Sequence, residues 1–367
     1  MVADPRFLPR AGRVEDAHCA LSLTERDRRW NALRAAMDAA GLDCLFVWGK
    51  SRGGGGNCRW IDNADAAERC LVFPRRGNPV TMWAMGSWTK WYRAAAWEGV
   101  EYLGTEGRDS VAAAQVISEY GYGRGTIGIV GLAGAGMGAE GAMPYFTYRN
   151  LERLLPAARF RDAGDILNRL RMFKSDEELA FVEKASEIAN IEIDVALRHA
   201  RPGVRESELY ALMESAGLAA GAEPMRDYYT ILSSGKGYPT NRRQTDRLMR
   251  SGDLVQIGVY ARYGGYWSHP HVAISLGPLD PEYPPLRQAV LESTHAMLAA
   301  LEPGTPWREV ERAADAPILS RGYYHEITHV HGLGLDGTEP PVGVMSAGTL
   351  PDATHGRRPP SSPEPRG

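Results

Sequence analysis

Histidines in the C-terminal half of the chain form two pairs whose spacing suits acid/base chemistry or metal binding. His269 and His271 flank Pro270, and His329 and His331 repeat the same spacing further along. Side chains two residues apart lie on one face of a β-strand, so both members of a pair can point into one cleft. Neutral imidazole accepts protons near pH 7 and also binds transition metals. The sequence therefore predicts a polar cleft lined by imidazoles.

A β-hairpin is predicted to position the first histidine pair. Within 252–277, two runs of β-branched, aromatic and other apolar residues, 254–260 and 266–276, lie on either side of Gly264 and Gly265. A glycine pair between two such runs favours a tight turn. We therefore expect both imidazoles on the second strand of this hairpin.

An internal repeat predicts how the two histidine pairs meet. Two units each contain, in the same order and at the same spacing, a Pro-Gly turn, a glutamate and a glycine that is expected to end a helix (a glycine stop). They are Pro202-Gly203, Glu208 and Gly221, then Pro303-Gly304, Glu309 and Gly322. Each unit has the pattern of helix, turn, helix and strand. Such a duplication places two similar halves around a shared cleft, with the strands after the glycine stops facing each other.

The chain is expected to fold as two domains. Its first half alternates strands with helices from Thr24 onward, which predicts an α/β domain. A capping box formed by Ser175 and Glu178 predicts a long helix that extends to His199. We predict four segments: a flexible arm at 1–20, the α/β domain at 21–165, an α+β domain at 166–345 and a disordered tail at 346–367.

Composition excludes several classes of function. The 367 residues carry a net charge of -3 with both signs interspersed, so neither nucleic acid nor a membrane is an expected partner. The chain has no signal-peptide core and no run of about 18 apolar residues, which predicts a cytoplasmic protein. Because the glycine-rich 52–56 lacks the residues of a nucleotide-binding loop, no cofactor is expected. Four cysteines without C-x-x-C spacing are expected to be reduced thiols: Cys19, Cys44, Cys58 and Cys70.

The hairpin resembles the central hairpin of the pita-bread hydrolases, the superfamily of methionine aminopeptidase, prolidase, aminopeptidase P and creatinase. Gly252-Asp253 and Gly265-Tyr266 match its pattern, and Arg171-x-x-Lys174-Ser175 precedes the long helix as in that family. The first half resembles the N-terminal domain of the creatinase and prolidase branch. The resemblance implies an α/β N-terminal domain followed by an α+β pita-bread domain, a homodimer, and a small-molecule or short-peptide substrate.

The resemblance also implies five metal-ligand positions, of which only His331 is retained. The two aspartates of the family's hairpin fall on Gly258 and His269, and the two closing glutamates have no counterpart after Glu339. The last residues, from 342 on, instead form a Pro/Ser/Arg-rich run. We therefore expect the pita-bread domain to be incomplete at its C-terminal end, with an exposed sheet edge and without the dinuclear metal centre.

The remaining candidate residues are assigned to substrate binding. Asn241 lies where creatinase has its acid/base histidine, and it can hydrogen-bond a substrate but cannot exchange protons near neutral pH. Arg242 can bind a carboxylate with two parallel hydrogen bonds, although a solvated loop is an equal alternative. His325 and Glu326 are expected to lie on the surface. The substrate-binding set is completed by Tyr266, His329 and Glu339.

Three functions remain open at this point. The first is a creatinase- or prolidase-like hydrolase that cleaves a C–N bond in a small amino-acid-like or peptide substrate, with His269, His271 and His331 as the catalytic residues and no metal. The second is a catalytically inactive homologue that acts in binding or assembly. The third is a mononuclear Zn²⁺ or Ni²⁺ hydrolase that uses both histidine pairs as ligands.

Overall fold

The computed structural model of the chain describes residues 21–49, 55–64, 69–84, 96–133, 141–224, 231–235, 243–278, 280–323, 325 and 328–342. The predicted arm at 1–20 and the predicted tail at 346–367 lie outside these ranges. None of the helices in the described part combines the length and the apolar character needed to cross a lipid bilayer.

A mixed sheet forms the centre of the N-terminal domain. Its six strands are β1 (Cys44–Trp48), β2 (Arg69–Pro74), β3 (Val80–Trp83), β4 (Glu101–Gly104), β5 (Thr126–Val130) and β6 (Arg159–Asp162), in the order β4-β3-β2-β1-β5-β6. β1 pairs antiparallel with β2 and parallel with β5. Every residue of β1, β2, β3 and β5 is buried, because elements cover both faces of the sheet.

Four helices pack around this sheet: α1 (Leu23–Ala40), α2 (Gly56–Asp62), α3 (Asp109–Glu119) and α4 (Tyr145–Leu154). The N-cap of α1 is Ser22, whose hydroxyl accepts a hydrogen bond from the amide of Glu25 at 3.1 Å. The predicted start at Thr24 was therefore wrong by two residues, since Ser22 and Thr24 both have a side-chain oxygen that can cap a helix. Gly41 ends the helix in the left-handed conformation, with φ 66°.

The C-terminal domain combines paired helices with short antiparallel sheets. Its helices are α5 (Gly164–Met172), α6 (Asp176–His199), α7 (Glu206–Ala219), α8 (Tyr283–Ala300) and α9 (Trp307–Leu319). Its strands are β7 (Ile231–Ser234), β8 (Leu254–Gly258), β9 (Ala261–Tyr263), β10 (Tyr266–Ser268), β11 (His271–Ser275), β12 (His331–Gly332) and β13 (Glu339–Val342). The sheets are β11-β8-β7, β9-β10 and β12-β13.

The local signals of this domain are confirmed. Ser175 and Glu178 form the predicted capping box at the start of α6. The helices of the repeat pack as the pairs α6–α7 and α8–α9. The glycines of both Pro-Gly turns and both glycine stops have positive φ, as such turns require: Gly203 at 90°, Gly304 at 95°, Gly221 at 101° and Gly322 at 74°.

The predicted hairpin is present, but it is divided into two pieces. β8 and β11 form the base, and β9 and β10 form a twisted tip that turns at Gly264 and Gly265, with φ 56° and 86°. A Cβ on Gly265 would lie 2.4 Å from Nε of Arg59 on α2, so glycine is needed both for the turn and for this close approach. The hairpin tip therefore touches the N-terminal domain.

A buried network of ion pairs and hydrogen bonds joins the hairpin to a helix of each domain. Arg29 of α1 is fully buried and donates to the carboxylate of Glu25 at 2.6 Å and to the hydroxyl of Tyr266 at 2.8 Å. That hydroxyl donates in turn to Glu178 of α6 at 2.9 Å. Burial, together with the negative charge of Glu178, raises the pKa of Tyr266 and keeps the phenol protonated. The start of β10 is thus fixed between α1 and α6.

A second buried cation holds the segment that contains β12 and β13. Arg171 of α5 donates to Asp336 at 2.6 Å and also to Glu339, and Lys174 lies 2.9 Å from the same glutamate. Asp336 accepts from the amide of Gly56 on α2 at 3.2 Å. Burial alone would raise the pKa of Glu339. The positive charges of Arg171 and Lys174 together have the larger, opposite effect, so the net shift is downward. This network fixes the C-terminal segment against the N-terminal domain.

Three of the cysteines behave as expected, and the oligomeric state stays a prediction. Cys44, Cys58 and Cys70 are buried free thiols, while Cys19 lies outside the described residues.

β7 and β11 are the edges of the three-stranded sheet, and alternate residues of β11 are exposed. A homodimer that covers such an edge is checked by sedimentation.

The buried network predicts a large loss of stability in Glu178→Ala. This substitution removes a partner of Arg29 and one half of the capping box, so we expect the free energy of unfolding to fall by about 3–5 kcal/mol. Glu187→Ala on the same helix is the control, because its pair with Lys184 is exposed and contributes about 0.5 kcal/mol or less. Urea unfolding of both variants measures the difference. Equal losses would contradict the importance of the buried network.

Candidate active site

The hairpin and the β12 segment bring three of the predicted imidazoles together. Pro270 interrupts the second strand between β10 and β11, and it leaves His269 at the break and His271 at the start of β11. The backbone amide of Trp267 donates to the carbonyl of Gly334 at 2.9 Å, and its indole donates to Leu335 at 3.2 Å. These contacts dock the segment after β12 onto the hairpin and so place His331 beside His269.

The three rings form a compact group, called the imidazole cluster below: His269, His271 and His331. Nε2 of His271 lies 2.8 Å from Nε2 of His269, a hydrogen-bond distance. The ring centroids of His269 and His331 are 6.1 Å apart. Tyr260 stacks on the ring of His269 with centroids 3.8 Å apart. The tyrosine was not predicted as a site residue, although it stands at the end of the first apolar run.

Burial and mutual repulsion hold His269 and His271 in the neutral state. Burial, followed by the charges of His271 and His331, lowers the pKa of His269 to about 3. Partial burial and the nearby His331 also lower the pKa of His271. Near pH 7 both rings are therefore unprotonated and can accept protons or ligate a metal.

Each ring of the cluster has a defined hydrogen-bond partner. One Nε2 of the His269–His271 pair must carry a hydrogen and the other must accept it, so the two rings adopt complementary tautomers. Nδ1 of His331 lies 2.8 Å from the carbonyl oxygen of Gly332 and must donate to it. Neutral His331 then has its lone pair on Nε2. This arrangement provides one proton acceptor beside a hydrogen-bonded imidazole pair.

The residues of the cluster do not fit the dinuclear metal centre of the peptidases that the sequence resembles. At the first aspartate position, Gly258 pairs across the sheet with His271, and a Cβ there would lie 2.7 Å from Cε1 of that ring. The imidazole thus fills the space that a side chain at 258 would need. None of the charges that shift the pKa values of His269 and His271 comes from a carboxylate among the described residues. Two divalent cations need bridging carboxylates, which this donor set lacks.

The predicted substrate-binding residues have different outcomes. Asn241 and Arg242 lie outside the described residues. Tyr266 is only 1% exposed and Glu339 only 3%, and both bind buried arginines between the domains. We therefore assign these two residues a structural role instead of contact with substrate. Their positions in the family pattern gave no indication of the arginines that hold them.

His329 belongs to a different group of side chains from the imidazole cluster. Its Nε2 lies 3.0 Å from Oδ1 of Asp315 on α9, and Nε2 of His325 lies 2.7 Å from the same oxygen. His325 was expected on the surface, but its side chain is only 12% exposed, so that expectation was wrong. Glu326 lies outside the described residues. The His-x-x-x-His spacing was the available signal for this group.

Two sequence profiles match the chain in the order of its domains. The profile of the creatinase/prolidase N-terminal domain matches residues 29–173, and that of metallopeptidase family M24 matches residues 180–357. The Xaa-Pro dipeptidase of Pyrococcus furiosus is 31% identical over 204 residues, which cover 54% of this chain and 58% of the relative. An uncharacterized peptidase of Bacillus subtilis is 27% identical over 219 residues, 58% of this chain and 61% of the relative. The matches thus span less than two thirds of either relative.

Solved structures share the fold over most of the chain. The prolidase from Pyrococcus horikoshii superposes with a TM-score of 0.71 and 21% identity, covering 86% of this chain and 84% of that one. The X-Pro aminopeptidase from Thermotoga maritima gives a TM-score of 0.73 and 18% identity, with coverage of 87% and 85%. The predicted order of an α/β domain and a pita-bread domain is confirmed. The chain belongs to the pita-bread superfamily of creatinase, prolidase and aminopeptidase P.

Proposed function

We propose that the chain is a peptidase-like hydrolase that cleaves a C–N bond in a short peptide or a small amino-acid-like substrate, with imidazoles as the reactive groups in place of a dinuclear metal centre. The observation that carries this proposal is the convergence of His269, His271 and His331, of which His269 and His271 are neutral near pH 7. Relatives named Xaa-Pro dipeptidase support a dipeptide-sized substrate.

His331 is the proposed general base and acid. Its Nε2 takes a proton from water while the water oxygen bonds to the carbonyl carbon of the substrate. The resulting imidazolium then gives that proton to the leaving nitrogen as the C–N bond breaks. The same ring therefore both accepts and releases the proton. The hydrogen bond from Nδ1 to Gly332 holds the ring in the required tautomer.

The other two rings are proposed to stabilise the tetrahedral intermediate. If His269 donates from Nε2 to His271, the latter carries its own proton on Nδ1 and can donate it as a hydrogen bond to the developing oxyanion. Stacking on Tyr260 fixes the orientation of His269. The predicted role of Asn241 and Arg242, orientation of a substrate carboxylate, remains part of the proposal.

His271→Ala is the first test of this scheme. We expect kcat/KM to fall by about 10²–10³, because an oxyanion donor is lost, while the circular dichroism spectrum stays unchanged. His295→Ala is the control, since this histidine is exposed on α8. Dipeptides, other amides, ureas and guanidino acids are the substrates to assay. Wild-type protein that turns over none of them would instead support the inactive homologue, and an activity that a chelator abolishes would support the mononuclear metal hydrolase.

The lowered pKa of His269 predicts a pH-dependent stability. Imidazole in the unfolded chain titrates at about 6.5, whereas His269 in the folded chain titrates at about 3. The unfolded chain therefore binds the extra proton between these values, and stability is lost as the pH falls from about 6.5 toward 3. We expect His269→Gln to show a smaller fall in the free energy of unfolding between about pH 7 and about pH 4. His295→Gln should retain the wild-type slope, and equal slopes for both variants would exclude a shifted His269.

Gly258→Ala tests whether the missing side chain makes room for the cluster. The new Cβ would displace the ring of His271, so we expect turnover to fall toward that of His271→Ala. The free energy of unfolding should change little, because the exposed ring can rotate away. The double variant should be no slower than His271→Ala alone. If Gly258→Ala keeps full activity where His271→Ala loses it, the ring does not lie over Gly258.

A further inference from the structure

The residues that follow the second half of the repeat contain a group with ligand chemistry of its own. α9 presents Glu311 and Asp315 one helical turn apart, and the segment after it carries His325 and His329 four residues apart. The chain reverses direction at Gly322, so these histidines return along the helix that carries the carboxylates. The group lies apart from the imidazole cluster and takes no part in the proposed reaction.

The ligand atoms of three of these residues converge. Nε2 of His325 and Nε2 of His329 lie 2.7 Å and 3.0 Å from Oδ1 of Asp315, and the imidazole centroids are 4.0 Å apart. All three ligand atoms fall within 4.8 Å of one another, and no other group of histidine, cysteine or acidic residues in the described ranges does so. The side chains are 12%, 13% and 21% exposed, which leaves a shielded site with an open side.

We propose that Asp315, His325 and His329 bind one divalent transition metal ion of the Zn²⁺ class. Two imidazoles and one carboxylate are a donor set that Zn²⁺ uses in proteins, with water or a further ligand in the fourth position. Ligand atoms around tetrahedral zinc lie about 3.3–3.5 Å apart. The distances from Oδ1 of Asp315 to Nε2 of His325 and to Nε2 of His329 therefore need to increase by less than about 1 Å to admit the ion. Ca²⁺ and Mg²⁺ prefer oxygen ligands and are excluded by the two imidazoles.

The charges around the group favour a cation. Glu311 is only 6% exposed and accepts a hydrogen bond from Thr328 at 3.3 Å. Burial and the negative charge of Asp315 raise the pKa of this carboxyl, while Thr328 and His325 act in the opposite direction. A divalent ion would neutralise both carboxylates, and a small movement of Glu311 would supply a fourth ligand. Burial, which outweighs the effect of Asp315, lowers the pKa of His329 and keeps its ring in the form that binds metals.

Metal binding here would act on the segment that leads into the imidazole cluster. His329 stands two residues before His331, so an ion that joins His329 to α9 would restrict the start of β12. The ion would hold this segment and would touch neither His269 nor His271. The site is therefore assigned a structural role, which is independent of whether the chain hydrolyses any substrate.

The test is Zn²⁺ uptake by the full chain after treatment with a chelator. Equilibrium dialysis and elemental analysis should show one Zn²⁺ bound per wild-type chain, and uptake should be lost in His329→Gln and in Asp315→Asn. His269→Ala/His271→Ala and His295→Gln are the matched controls, and both should keep the full uptake. A second measurement is the thermal midpoint, which Zn²⁺ should raise in wild type and in both controls, because a ligand that binds only the folded chain stabilises it.

Each outcome decides the proposal. Wild-type chain that takes up no more Zn²⁺ than His329→Gln would overturn it, and so would uptake that disappears in His269→Ala/His271→Ala. His329→Gln keeps most of the side-chain volume, and its circular dichroism spectrum shows whether the loss of uptake reflects unfolding. If Asp315→Asn and His329→Gln both fold and both retain Zn²⁺, the ion binds elsewhere. None of these results depends on hydrolytic activity, so failure here is distinct from failure of the proposed hydrolase.

Discussion

The buried guanidinium of Arg29 is the contact on which the geometry of the cleft depends. It lies in an interior formed by both domains, and a charge in such a place is tolerated only when each of its donors is paired. Glu25 and Glu178 supply the negative charge, and Tyr266 supplies the hydroxyl that joins them to the hairpin. Any shift of β10 along its axis would break the buried hydrogen bonds that the Tyr266 hydroxyl makes with Arg29 and Glu178. The position of His269, three residues after Tyr266, follows from this constraint.

A corresponding constraint acts on the other side of the cleft, where Arg171 holds Asp336 and Glu339. These acidic residues follow β12, so the ion pairs fix the segment that begins with His331. Both walls are thus positioned by buried ion pairs outside the cleft and not by groups inside it. This separation explains how the fold can persist while the residues in the cleft differ from the family pattern. Gly258 and His271 show the principle, because the missing side chain makes room for the ring.

Local patterns predicted much of the fold, and long-range pairing accounts for most of the errors. The hairpin turn, the capping box of α6 and the repeated glycines depend on neighbouring residues, and each was visible in the sequence. Arg29 and Tyr266 are 237 positions apart, and nothing in either local pattern indicates the other. Tyr266 and Glu339 consequently looked like cleft residues. The N-cap at Ser22 shows a smaller limit, since Ser22 and Thr24 are both residues that can cap this helix.

The two histidine groups differ most in their surrounding charge, and this difference separates their chemistry. Among the residues that the structure describes, no carboxylate acts on His269 or His271, so a cation placed there would lose hydration without gaining a counter-charge from them. That environment favours neutral rings that exchange protons. At Asp315 the same ligand type lies beside one carboxylate and close to the buried Glu311, so a divalent ion would relieve the repulsion between these two acids. Because His329 is held by Asp315, three imidazoles of the two predicted pairs remain for the cleft, and proton transfer is the chemistry that their described environment favours.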